Sequence, residues 1–149
     1  MQKLFKALIK AAVGASSPKA PTKTKGRVAL QPPTKIKGAT ESFELVGEAS
    51  YQDALDALAG AKGEDAVYLD CSATLVEEPK NPNDKNAVYC LISGLKVGYI
   101  SREENLTIKA IIRKRGSNGQ INVNAQIRGG WNRGRNDKGN YGVRIQVPK

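Results

Sequence analysis

The chain has no histidine, two cysteines, one tryptophan and two phenylalanines among its 149 residues. Without histidine, and with Cys71 and Cys90 outside any CxxC spacing, one chain cannot assemble the usual Cys/His zinc centre or offer an imidazole as a general base. The two thiols read as small buried hydrophobes of a reducing compartment, which makes the cytoplasm the expected location. No GxxxxGK[ST] loop is present to cradle a nucleotide phosphate, and no GxSxG elbow presents a serine. No apolar run approaches a transmembrane span, and lysines interrupt the N-terminal apolar stretch, so neither a membrane helix nor a secretory signal is expected. The carboxylates Glu77, Glu78 and Asp84 could hold Mg²⁺ for a nuclease, yet three acids bordering a turn read first as a solvated hairpin end. The expectation is a protein that works without catalysis and without a cofactor.

What the chain does have is charge, unevenly spread. Residues 1–40 carry nine Lys or Arg and no acid, residues 41–108 carry thirteen acids against five bases, and residues 109–149 carry ten bases against Asp137 alone. If the fold keeps that polarity, one face attracts a polyanion and another repels it.

Two regions follow from composition. In MQKLFKALIKAAV, the residues Leu4, Phe5, Leu8, Ile9, Ala12 and Val13 form a helical stripe with Lys3, Lys6 and Lys10 off it, which reads as a short basic amphipathic helix. The Pro-, Lys- and Thr-rich stretch after it reads as an extended linker, so residues 1–40 are a basic, mostly disordered attachment and 41–149 the folded domain. Within that domain SFELVGE reads as a strand. Ser50 with Asp53 opens a helix on which Tyr51, Leu55 and Leu58 form the apolar face, and Gly60 ends it. Residues 66–77, 86–93 and ISGLKVGYIS read as three strands of a meander. Ser101 with Glu104 starts a second helix that ends in RKRG, and QINVNAQIRG and GVRIQV are strands around a glycine-rich loop. The order predicts a mainly β, α+β fold: a small curled sheet or barrel with two helices packed on it. A hairpin centred near 80–82 would set Cys71 and Cys90 opposite each other, and both are expected as free thiols.

Two places carry candidate binding chemistry. In EPKNPNDKNAVY, prolines and asparagines make a rigid turn that either serves only itself or holds Asp84 within reach of a ligand. In the basic third, Arg128, Trp131, Arg133, Arg135, Lys138 and Tyr141 interleave cations with aromatic faces, the composition of a groove for single-stranded nucleic acid. Trp131 could equally plug one end of a barrel, and Tyr89 and Tyr99 read as core or cross-strand partners.

The stretch EEPKNPNDKNAVYCLISGLKVGYISRE, with FELVGEASYQDAL before it, resembles the HIRAN domain family, and IRGGWNRGRNDKGNYGVRIQV is similar, more loosely, to the last part of its bacterial stand-alone members. The resemblance implies an OB-like β-barrel. It also implies binding of the 3′ end of single-stranded DNA, as in the eukaryotic helicase-like transcription factor, where a loop Asp bonds the terminal hydroxyl and aromatic and basic groups hold bases and phosphate. Asp84 matches that Asp, the loop Tyr falls on Asn83, and an Arg-Tyr pair of the family falls on Ala49 and Ser50 with Tyr51 adjacent. The expected function is a non-catalytic module for single-stranded DNA or DNA ends, acting beside a DNA-processing protein. The binding residues expected are Asn83, Asp84, Lys85 and Tyr51 together with the basic and aromatic groups of the last third. Rival readings are an RNA binder, a protein adaptor docking through the acidic block 41–108, and a metal-dependent nuclease.

Overall fold

A computed structural model describes residues 28–149; the N-terminal amphipathic stripe lies outside them. Among the described residues the architecture is a single six-stranded antiparallel sheet with two helices, in the α+β class. The strands are β1 (Thr40–Glu44), β2 (Val67–Glu77), β3 (Val88–Ile92), β4 (Leu95–Tyr99), β5 (Gln120–Asn132) and β6 (Lys138–Pro148), in the spatial order β1-β6-β5-β2-β3-β4. Helix α1 (Gln52–Ala59) follows a 3₁₀ turn over Glu48–Tyr51, and helix α2 (Asn105–Arg115) follows another over Arg102–Glu104. The sheet is not closed by a ladder. Its two edges meet at one bridge, where Val46 and Tyr99 exchange both backbone hydrogen bonds at 2.8 and 2.9 Å.

Alternation in the sequence becomes two unlike faces. Phe43, Leu75, Val88, Ile92, Val123, Ile127 and Ile145 point into one core, which Leu55 and Leu58 of α1 and Ile108 and Ile112 of α2 complete. The other face is polar, with Asn122 bonded to Thr74 and Gln126 bonded to Asp70. Both helices stop at glycine, Gly60 N–H returning to the Asp56 carbonyl and Gly116 N–H to that of Ile112. At their starts no side chain caps the backbone, and Ser101 instead bonds the Glu104 carboxylate at 2.9 Å.

Four expectations need correction. The glycine-rich stretch is not a loop: β5 and β6 run through it as one long hairpin, with only residues 133–137 left at the tip. Two of its glycines serve rings rather than turns, because Tyr141 lies against Gly130 and Trp131 against Gly139. The cysteines are not cross-strand partners, since Cys90 pairs with Leu75 and Cys71 with Ala125. Both are free and buried, and burial, with the Asp70 carboxylate adding to it, pushes the Cys71 thiol up to about 12. The charge blocks of the sequence are interleaved in the fold: antiparallel pairing sets Glu44 against Arg128 and Arg144, and the packing of α2 sets Arg113 against Glu77.

The fourth correction concerns residues 28–39, read as linker. They form a strap on the folded body: Val28 and Leu30 pack on the core, and Val28 N–H donates to the Ala57 carbonyl. Ser93 Oγ donates to the Ala29 carbonyl at 2.6 Å. Ser72 N–H, beyond the reach of β3, donates to the Gln31 carbonyl, and the Asn124 side chain takes both the N–H and the C=O of Thr34. A boundary at residue 40 therefore cuts through bonded structure, and the first residue of β1 is Thr40 itself. Removing residues 1–39 is expected to cost about 2 kcal/mol, from two half-buried aliphatic side chains and several backbone hydrogen bonds. Urea melts of the full and shortened chains check this, and coincident midpoints would show the strap to be idle.

Candidate nucleic-acid interface

The loop between β2 and β3 is built by its own asparagines. Asn81 Oδ1 accepts the N–H groups of Asn83 and Asp84 at 2.8 and 3.0 Å, and Asp84 Oδ1 accepts that of Asn86 at 2.9 Å, two consecutive side-chain-to-backbone turns. Asp84 Oδ2 accepts from Asn105 Nδ2 at 2.9 Å, which ties the loop to the start of α2. Asn105 is the only buried polar side chain among the described residues, and its Oδ1 has no partner there. Arg102 reaches over the same loop, with Nη2 3.3 Å from the Asn83 carbonyl and Nε 3.9 Å from Asp84 Oδ2, while its side chain stays 73% exposed. Lys109, further along α2, donates to Asn86 Oδ1 at 3.1 Å. Asn83 and Lys85 are exposed at the tip.

Beside this loop stands a group of tyrosines around one lysine. Tyr99 donates its hydroxyl to Glu78 Oε1 at 2.8 Å, and Asn81 Nδ2 donates to the same oxygen at 2.9 Å. Those two bonds hold the Glu78 carboxyl below the usual carboxylate range. The Lys96 ammonium lies 4.3 Å from the centre of the Tyr89 ring and 5.2 Å from that of Tyr99, and donates to the Tyr99 hydroxyl. Burial works against its charge, but the Tyr99 bond and the neighbouring Tyr99, Glu78 and Tyr51 groups outweigh that and raise its pKa. Burial likewise pushes the Tyr99 hydroxyl up, keeping it a protonated donor.

The hairpin candidates lie elsewhere. Val67 at the start of β2 pairs with Gly129, and Glu77 at its end leads into the loop. Eleven residues of strand therefore separate the hairpin end from the loop end, about 33 Å at 3.3 Å per residue. Asn83, Asp84 and Lys85 belong to one end, and Trp131, Arg133, Arg135 and Lys138 to the other, so they cannot line one short groove; Tyr51 lies between, near Lys96 and next to Gln52, whose side chain bonds the Tyr141 backbone. Trp131 is half-buried against Gly139; its Nε1 donates to Asp137 Oδ1 at 2.9 Å and the Arg133 guanidinium lies 5.3 Å from its ring centre. Arg133 is further held by Asp137 and the Glu64 carbonyl, while Arg135 and Lys138 are exposed. Arg128 sits on the polar face, paired with Glu44 at 3.3 Å.

Tyr141, expected as a stacking surface, is core. It is 2% exposed, its hydroxyl donates to the Gly60 carbonyl at 2.5 Å, and the Lys62 ammonium lies 4.6 Å from its ring centre. A base cannot reach it. Glu77, Glu78 and Asp84 each turn to a different partner, and among the described residues no three metal-ligating side chains converge.

Comparison of the chain with protein-family models, with curated proteins and with solved structures finds no match. Sequence reasoning missed Lys96, Arg102, Asn105 and Lys109 as site residues. Asn105 had one available signal: a polar residue three positions before Ile108, on the face of the helix that turns inward. Among the described residues no helix is long and apolar enough to cross a membrane.

Proposed function

We propose that this chain is a non-catalytic module that binds single-stranded DNA or a DNA end at the loop end of β2. In this reading its curled sheet is a HIRAN-type, OB-like barrel whose seam is the Val46–Tyr99 bridge, and the protein works in the cytoplasm beside a DNA-processing protein. The observation that carries the reading is the grouping at one end of the sheet of Tyr89 and Tyr99, with Tyr51 near Lys96, and the cations Lys96, Arg102 and Lys109, around a loop whose tip is exposed. Tyrosine faces stack bases at about 1 to 3 kcal/mol each, and cations meet phosphates. Asp84 retains acceptor capacity beyond its two hydrogen bonds, and Arg102 at 3.9 Å offsets the repulsion between its carboxylate and a phosphate. A terminal sugar hydroxyl donating to Asp84 fits that chemistry.

The adaptor reading is weaker. Five of the thirteen carboxylates of the acidic block, Glu44, Asp56, Glu77, Glu78 and Asp84, are paired with cations of this same chain and are that much less available to a partner. Fluorescence polarisation of the full chain against single-stranded DNA, duplex DNA and RNA of matched length, at two salt concentrations, tests the proposal. Single-stranded DNA is expected to bind tightest, and Arg102→Ser to weaken it by roughly tenfold, the worth of one charge-assisted contact. Tightest binding to RNA would move the reading to RNA, and no binding to any of the three would overturn it.

A further inference from the structure

Helix α2 connects the loop to a second basic feature that the proposed end-binding site does not use. Its first residue, Asn105, bonds Asp84, and its last, Arg115, lines an open groove of about 630 Å³ between the strap at residues 34–37 and the turn into β5. Lys35, Lys37, Arg115, Ser117, Gln120 and Asn122 line that groove, and no Asp or Glu side chain does. Arg115 is fixed by donating Nη2 to a terminal main-chain oxygen of Lys149 at 2.8 Å, so Lys35 and Lys37 are the cations of the groove without a counter-charge. Lys35 and Lys37 are exposed and form no ion pair among the described residues. Three cations, Lys35, Lys37 and Arg115, thus surround one groove whose lining holds no Asp or Glu side chain.

The eleven residues of α2 span about 16 Å at 1.5 Å per residue. Arg102, Lys109 and Arg113 mark the way. Lys109 and Arg113 are four residues apart on one helix side, and they reach Asn86 and Glu77 at the loop end of β2. About five nucleotides at the duplex rise, or fewer in an extended strand, cover that distance.

We infer that the groove lined by Lys35, Lys37 and Arg115 is a phosphate-backbone site that takes the continuation of a nucleic-acid strand whose end is held at the loop. This rests on the nucleic-acid reading above and adds direction and length to it. The strand runs from Asp84 along α2 to the strap, away from the β5–β6 hairpin. The groove contributes affinity for length, without base preference, because its cations meet phosphates and it holds no aromatic side chain.

The test compares the full chain with a Lys35→Ser, Lys37→Ser double variant on single strands of about 4 and about 16 nucleotides, the shorter too short to span α2. On the longer strand, losing two phosphate contacts is expected to flatten the slope of log affinity against log salt by about 1.4 and to lower affinity roughly 25-fold at about 0.1 M salt. On the shorter strand the variant is expected to match the parent. Lys37→Ser alone should give about half the slope change, and an unchanged melting temperature shows that the fold is intact. An unchanged slope on the longer strand overturns the inference, as does an equal loss on both strands. If the parent chain binds neither strand, the nucleic-acid reading itself has failed; if it binds both and the variant follows it, the groove alone has failed.

Discussion

Gly130→Ala will destabilise the protein by about 4 kcal/mol and lower its melting temperature by roughly 8 to 16 °C. Gly130 has φ +74°, where an L side chain costs about 1 to 2 kcal/mol, and a Cβ there would overlap the ring of Tyr141. That ring has no room to retreat. Its hydroxyl is bonded to the Gly60 carbonyl, Lys62 lies over it, and the Gln52 side chain grips the Tyr141 backbone through both its N–H and its C=O at 2.9 Å. Gly134, at the hairpin tip, is the control: its φ is +130° but nothing lies within 4 Å of a Cβ placed there. Gly134→Ala should therefore cost only the backbone strain, about 1 to 2 kcal/mol. Thermal melts decide, and equal losses at the two positions would show that the contact with Tyr141 is not what fixes Gly130.

Asp84→Ala will cost about 3 kcal/mol, whatever it does to ligands. The buried Asn105 side chain is 3% exposed and gives its one hydrogen bond to Asp84, so truncation leaves that amide without any partner in the core. It also frees the Asn86 N–H and loosens the loop. Asp84→Asn behaves differently. Its Oδ1 still accepts from Asn86, and its amide can donate to the Oδ1 of Asn105 if that side chain turns over, so the loss should be about 1 kcal/mol or less. Chemical denaturation separates the two variants, and equal stabilities for Asp84→Ala and the parent would mean that the link between loop and helix carries no load. Asp84→Asn is thus the variant for asking about ligands. If the carboxylate accepts a terminal hydroxyl, it will lose preference for a free 3′-hydroxyl over a 3′-phosphate while general affinity barely changes.

Much of the fold was legible because alternation and glycine stops carry direct physical meaning. The run 66–77 became Val67–Glu77, and Gly60 and Gly116 end the two helices where the patterns break. The glycine-rich stretch misled because turn chemistry and ring packing draw on the same residue. Gly130 and Gly139 are spaces for Tyr141 and Trp131, and only the pairing of β5 with β6 reveals that. The strap was invisible for a related reason: its bonds run mainly through backbone groups and short side chains, which leave no periodicity in the sequence. Block charges misled because register decides neighbours. Glu44 meets Arg144 across a hundred residues of chain. At the site, the turn made by Asn81 and Asp84 could be read from the residue types. The reach of Arg102, Lys96 and Lys109 to that loop depends on how α2 and β4 pack, which no local pattern encodes.

The most direct measurement is a nuclear magnetic resonance titration of the isotope-labelled full chain with a single-stranded oligonucleotide bearing a free 3′-hydroxyl. The account predicts that the largest shifts fall on the backbone amides of Asn83, Asp84, Lys85 and Asn86 and on the Arg102 side chain, with the hairpin tip around Arg135 and Lys138 nearly unmoved. Shifts confined to that hairpin tip, or none at saturating oligonucleotide, would contradict it.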